Sequence, residues 1–88
     1  MMSYEINVAL NGSHFFATHD RSINDTTKLI KVFKVMDEKF PASEGYELSV
    51  CYYPKYGYQT DGNTFRKLVT EKDIHGVYAF FENMRRYK

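Results

Sequence analysis

Three side chains, His14, His19 and Cys51, are the first candidates for catalysis or metal binding in this sequence. The two histidines are five residues apart in a segment that alternates like a β-strand, so a regular strand points them to opposite faces and they cannot share a metal ion. Cys51 falls on the same predicted face as His14, but an intervening strand separates them by about 9–10 Å, too far for a hydrogen bond. We therefore expect a non-enzymatic protein with no catalytic residue, metal or cofactor.

A second group of candidates is aromatic and basic. Residues 52–58 read Tyr-Tyr-Pro-Lys-Tyr-Gly-Tyr, and Arg66 and Lys67 follow. Interleaved rings and cations suit single-stranded RNA, because rings stack on bases and cations contact phosphates. They suit a protein interface equally, where Tyr and Arg are enriched. A strand end whose tyrosines pack only their rings is a third explanation, and the pattern leaves all three open.

The elements that position these candidates begin with a predicted β-hairpin. Residues 4–10 alternate apolar and polar, and Asn11-Gly12 is typical of a two-residue type I′ turn. Regular pairing after that turn places Val8 opposite Phe15, with Phe15 on the apolar face and Phe16 on the opposite face. The hairpin therefore predicts one face for the core and one face for contact with a partner.

Phe16 decides whether the outward face is an aromatic contact surface. In the regular register Phe16 and Tyr53 lie on this face and are available to a protein or to bases. Two alternatives bury Phe16: a β-bulge that turns it inwards, or a fold-back of the segment 54–64 over Phe16 and Tyr53. A chain of 88 residues needs its aromatic side chains for the core, so the sequence leaves the outward and the buried positions of Phe16 equally open.

The rest of the chain predicts helices around a third strand. Apolar residues recur at helical spacing over 29–40, with Ser22, Asn24 or Asp25 as the cap, and residues 46–52 alternate like a strand. The turn-rich segment 54–64 is predicted either as a long loop or as a hairpin that pairs residues near Tyr58 with residues near Phe65.

The chain ends in a second predicted helix. Thr70 and Asp73 resemble a capping box, and residues 74–84 carry an apolar stripe after it.

A right-handed crossover from strand 2 to strand 3 places strand 3 beside strand 1. The fold class is therefore predicted as α+β: one domain over residues 1–88 with the order β-β-α-β-(β)-α. It forms a two-layer sandwich with an antiparallel sheet in the order 2-1-3 and two helices on one face.

Composition limits the classes of function. With 43% hydrophobic and 26% charged residues the chain is typical of a globular domain, and a net charge of +1 gives no general attraction to nucleic acid. Residues 1–51 carry −2 and residues 52–88 carry +3, which allows only a local basic patch. One cysteine excludes an internal disulfide, and neither a membrane span nor a signal peptide is indicated, so we expect a cytoplasmic protein.

Two segments, 63–71 and 76–78 with Glu82 beyond, resemble the tail of the anti-sigma factor of T4-type phages. In length and composition the chain is similar to small accessory proteins of these phages: it is short and rich in Lys, Tyr and Phe, and it has no Trp. The resemblance implies a host-takeover or counter-defence protein that acts by binding, in the host cytoplasm if the protein is phage-encoded.

The favoured function is an inhibitor or adaptor that occludes a host or phage protein, as a monomer or a homodimer. The predicted partner-binding residues are His14, Phe16, Tyr53, Lys55, Tyr56 and Tyr58. The alternative is single-stranded RNA binding, for example in an RNA-dependent inhibitor of a host defence or toxin system. The predicted residues for that role are Lys55, Arg66, Lys67, Arg85 and Arg86. A nuclease or toxin using a histidine would need an acid–base partner that the sequence does not show.

Overall fold

The structure, a computed structural model, describes residues 2–19, 22–54 and 57–86. Its elements are β1 (Ser3–Leu10), β2 (Ser13–Ala17), α1 (Thr26–Lys39), a 3₁₀ turn (Ala42–Glu44), β3 (Tyr46–Tyr53), β4 (Tyr58–Asp61), α2 (Gly62–Glu71) and α3 (Ile74–Arg86). The described strands form one antiparallel sheet in the order β2-β1-β3-β4. The α+β class and the adjacency 2-1-3 are confirmed, with β4 added beyond β3.

The turn between β1 and β2 has the predicted geometry. Asn11 and Gly12 have φ of 50° and 85°, the positive values that a type I′ turn requires, and Leu10 pairs with Ser13. The turn therefore sets the register as expected at the start of the hairpin.

The register then changes at a β-bulge. Ala9 pairs with His14, but the next residue, Val8, pairs with Phe16, so that Phe15 is the extra residue of β2. The predicted pairing of Val8 with Phe15 is wrong. The bulge is the alternative that turns Phe16 inwards, and it lets the Phe16 ring pack edge-on against Phe40 with centroids 5.2 Å apart.

The segment after β3 forms a strand of its own. β4 pairs with β3 through Cys51–Gln59 and Tyr52–Tyr58. The optional fourth strand of the predicted order is therefore present, but it pairs with β3 instead of residues near Phe65, so the predicted long loop and the predicted pairing are both wrong. The outer edge of β3 is covered by β4.

The predicted second helix over residues 74–84 is confirmed as α3, and α2 is an additional helix that the prediction missed. Asp61 ends β4 and caps α2 directly, accepting the Thr64 N–H at 3.1 Å. Asp73 caps α3 by accepting the Gly76 N–H at 2.9 Å, whereas the Thr70 hydroxyl donates to a carbonyl of its own helix. At α1 the cap is Asp25, one of the three predicted candidates.

The core lies on one face of the sheet. Alternate residues of β1 and β3 point to it and meet apolar side chains of all three α-helices. The fully or almost fully buried members are Tyr4, Ile6, Val8, Ile23, Leu29, Phe33, Met36, Leu48, Val50, Tyr52, Phe65, Val77 and Phe81.

Gly62 allows α2 to begin in direct contact with β3. A Cβ at this position would lie 2.5 Å from the carbonyl oxygen of Leu48, which is backbone and cannot move aside alone. We expect Gly62→Ala to lower the free energy of unfolding by about 1–3 kcal/mol because helix and strand must separate. Urea unfolding measures this; Lys67→Ala, an exposed change on the same helix, should stay within about 0.5 kcal/mol. Equal stability of both variants would contradict the close approach.

Tyr52 links the sheet to α3. Its ring stacks on Tyr4 with centroids 5.3 Å apart and tilts against Phe81 at 5.2 Å, while its hydroxyl donates to the Glu82 carboxylate. Burial, together with this hydrogen bond, raises the pKa of Tyr52 well above the ordinary value of 10.0.

Tyr52→Phe should lower the free energy of unfolding by about 1–2 kcal/mol near neutral pH, because a hydrogen bond to a charged group is lost. The unfolded chain loses the Tyr52 proton at a lower pH than the folded protein, so this stabilisation is present below pH 10.0 and is lost as the pH rises above it. The difference between Tyr52→Phe and wild type should therefore shrink in urea unfolding at pH about 10.5.

Tyr58→Phe is the matched control, since the Tyr58 hydroxyl makes no hydrogen bond within the described residues. A Tyr52→Phe effect that equals the control, or that grows at alkaline pH, would contradict this assignment.

Candidate functional site

The sheet face opposite the core carries a cleft of about 690 Å³. We call this the cleft face. The residues that line the cleft are Asn7, Val8, Ala9, His14, Glu47, Leu48, Ser49, Cys51, Gln59 and Asp61. They come from all four strands, so the strand register alone brings them together.

Strand pairing arranges these side chains in rows across the sheet. Asn7 pairs with Ser49, which pairs with Asp61, and this row crosses three strands. In the next row Ala9 lies between His14 and Glu47. The small alanine at the centre leaves space between the two polar side chains, which is why the surface is concave here.

The cleft has a negative charge. Glu47 and Asp61 are exposed, and no lysine or arginine is among the described residues that line it. Hydrogen bonds from the Thr64 hydroxyl and backbone N–H lower the pKa of Asp61, so this carboxylate stays ionised. Glu5 lies in the adjacent row, paired with Cys51. The arrangement favours a cationic group over an anionic one.

Cys51 lies at the floor of the cleft and is buried. Asn7 Nδ2 donates to its sulfur at 3.3 Å, and burial raises the pKa of the thiol above its ordinary value of 9.0. β1 lies between Cys51 and the strand of His14, as predicted, so the two side chains do not form a nucleophile–base pair. The thiol is therefore neutral at physiological pH.

Cys51 should react with a chromogenic disulfide reagent at least about tenfold more slowly in the folded protein than in urea. The reaction requires a deprotonated thiol that the reagent can reach, and the folded protein disfavours both conditions. The midpoint of the rate against pH should lie above 9.0. A Cys51→Ser, Ser43→Cys variant, with its thiol in the exposed 3₁₀ turn, provides the control and should react rapidly. Equal rates at the two positions would contradict the burial of Cys51.

The predicted partner-binding residues that the structure describes do not converge on one site. His14 is exposed in the cleft, and Tyr53 is 37% exposed at the other end of the cleft face. Their partners on β1 are Ala9 and Ser3, so about 20 Å of strand separates them.

The other predicted partner-binding residues lie elsewhere. Phe16 was predicted on the outward face, but the bulge places it against the core. Tyr58 is also half-buried against the core. Lys55 and Tyr56 lie outside the described residues.

Among the predicted RNA-binding residues that the structure describes, Arg66 is held by contacts within the protein. The Arg66 guanidinium forms two bonds to the Asp37 carboxylate, at 2.6 Å and 2.8 Å, and a third to Asn63 at 2.6 Å. Arg66 therefore links α2 to α1, and its charge is compensated rather than offered to phosphate.

Of the remaining cations proposed for RNA, Lys67 is exposed on α2. Lys55 and the side chains of Arg85 and Arg86 lie outside the described part of the chain.

The acidic members of the cleft were missed at the sequence level. Glu47 has the same parity as Ser49 and Cys51, so its face was readable from the alternation of β3. Gln59 and Asp61 alternate with Tyr58 and Thr60, but four residues beside two glycines give only a weak strand signal.

Comparison of the chain with family models, with curated proteins and with solved structures gave no match. Within the described residues, no three His, Cys, Asp or Glu side chains are placed to hold a metal ion. The described helices are also too short or too polar to cross a membrane.

Proposed function

We propose that this chain is a non-enzymatic binding protein that holds an arginine- or lysine-rich segment of another protein on its cleft face. In this proposal the molecule has two layers, with the helices on the core side of the sheet and the cleft face left for the partner. The observation that carries the proposal is the acidic, polar cleft formed by all four strands.

The chemistry of the cleft suits a basic side chain. The carboxylates of Glu47 and Asp61 lie in neighbouring rows of the sheet, and the amide and hydroxyl groups of Asn7, Ser49 and Gln59 are between or beside them. A guanidinium group carries five donors in a planar fork, which matches carboxylate and amide oxygens better than a neutral side chain does. Charge complementarity therefore supports a cationic segment as the partner.

The same charges disfavour RNA on this surface. Glu47, Asp61 and the adjacent Glu5 would repel a phosphate backbone, and Arg66 is engaged by Asp37. A protein that covers its partner's basic segment acts as an inhibitor or an adaptor. Host takeover in the cytoplasm, as implied by the resemblance to phage accessory proteins, is one setting for such an activity.

A titration of the ¹⁵N-labelled protein with a short oligo-arginine peptide tests this proposal. Amide shifts should concentrate at Asn7, Ser49 and Gln59, and binding should weaken as salt is added. Oligo-glutamate of the same length should cause no shifts at these positions.

Glu47→Lys should weaken oligo-arginine binding by about tenfold, because an attraction is replaced by a repulsion. Glu44→Lys makes the same change of charge in the exposed 3₁₀ turn, outside the cleft, and should have little effect. If both variants lost the same affinity for oligo-arginine, the binding would be a non-specific electrostatic attraction and the proposal would be contradicted. Shifts at the cleft with single-stranded RNA in place of the peptide would also overturn the proposal.

A further inference from the structure

A second cleft, of about 740 Å³, lies between the N-terminal parts of α1 and α3, on the helical side of the molecule. Met2, Lys28, Lys31, Ile74, His75 and Tyr78 are among the residues that line it. Its volume is within the range of small-molecule pockets, and it is separate from the cleft on the sheet.

One wall of this cleft is an apolar row on α3. Ile74 and Tyr78 are one turn apart and are 36% and 40% exposed. Val77 and Phe81 of the same helix are completely buried, so the core of the protein already has its apolar stripe from α3. Ile74 and Tyr78 form a second apolar row that faces the cleft instead of the core.

The other wall is a basic row on α1. Lys28 and Lys31 are exposed and lie one turn apart. Lys28 Nζ donates to the Ser22 carbonyl at 2.7 Å, which holds this ammonium group at the start of the helix. Asp25 is the one carboxylate among the described lining residues, and its carboxylate caps α1 by accepting the Lys28 N–H at 2.7 Å. The lining groups therefore carry a net positive charge.

We propose that this cleft binds a small amphiphile with an anionic head group, such as a medium-chain carboxylate. Its hydrocarbon part lies along Ile74, Tyr78 and Met2, and its carboxylate lies beside Lys31 and Lys28. An apolar wall opposite a cationic wall selects for both properties in one molecule, since either property alone leaves one wall without a partner. This inference does not depend on the function of the cleft face.

Calorimetric titration with decanoate below its micellar concentration tests the proposal, with decanol as the uncharged probe of equal chain length. Decanoate should bind with amide shifts at Thr27, Lys31, Ile74 and Tyr78, and decanol should bind several-fold more weakly. Oligo-arginine bound on the cleft face should not displace decanoate. The two binding proposals can therefore be contradicted independently of each other.

Two variants test the contribution of each wall of the cleft to binding. Lys31→Glu should weaken decanoate binding about fivefold and leave decanol unchanged, whereas Tyr78→Ala should weaken both ligands. Lys34→Glu and Val35→Ala make matched changes on α1 outside the cleft and should have no effect. Thermal unfolding establishes that each variant is folded.

Three results would overturn the proposal: equal affinity for decanol and decanoate, equal effects of Lys31→Glu and Lys34→Glu, or no shifts at the cleft at millimolar decanoate. The last result would leave the cleft without a small-molecule role, even if an apolar segment of another protein were found there.

Discussion

The central strand β1 has to satisfy two environments at once, and the rest of the structure depends on this constraint. Tyr4, Ile6 and Val8 have no solvent-exposed area, and burying each side chain contributes about 1.5–3 kcal/mol. β1 pairs with β3 along its whole length, so a shift by one residue would exchange the buried and outward rows. The energy of the core therefore also fixes the positions of Asn7 and Ala9 in the cleft.

Much of this arrangement was predictable from local signals. Three sequence signals were strong: the Asn11-Gly12 turn, the apolar stripe of α1 and the alternation of β3. The right-handed crossover then predicted the strand order 2-1-3. β4 and the start of α2 were not predictable in the same way. Asp61 is both the last residue of β4 and the cap of α2, so no connecting residues separate the two elements in the sequence.

Phe16 shows why one residue of the outward face was predicted wrongly. Phe15 and Phe16 are identical neighbours, and alternation cannot tell which of them faces the core. The choice is made by tertiary contact: Phe16 packs on Phe40, while Phe15 remains 51% exposed beside Tyr46. Because the bulge moves an aromatic ring off the outward face, the cleft there is polar and acidic instead of aromatic.

The bulge has a further consequence for how copies of this chain meet in a crowded solution. A regular edge strand offers an uninterrupted ladder of N–H and C=O groups on which a second molecule can extend the sheet. The extra residue at Phe15 breaks that ladder within the five residues of β2, and at the opposite edge β4 is only four residues long and runs directly into a helix. Neither edge strand is therefore a good template for fibre growth, although the chain is rich in tyrosine and phenylalanine.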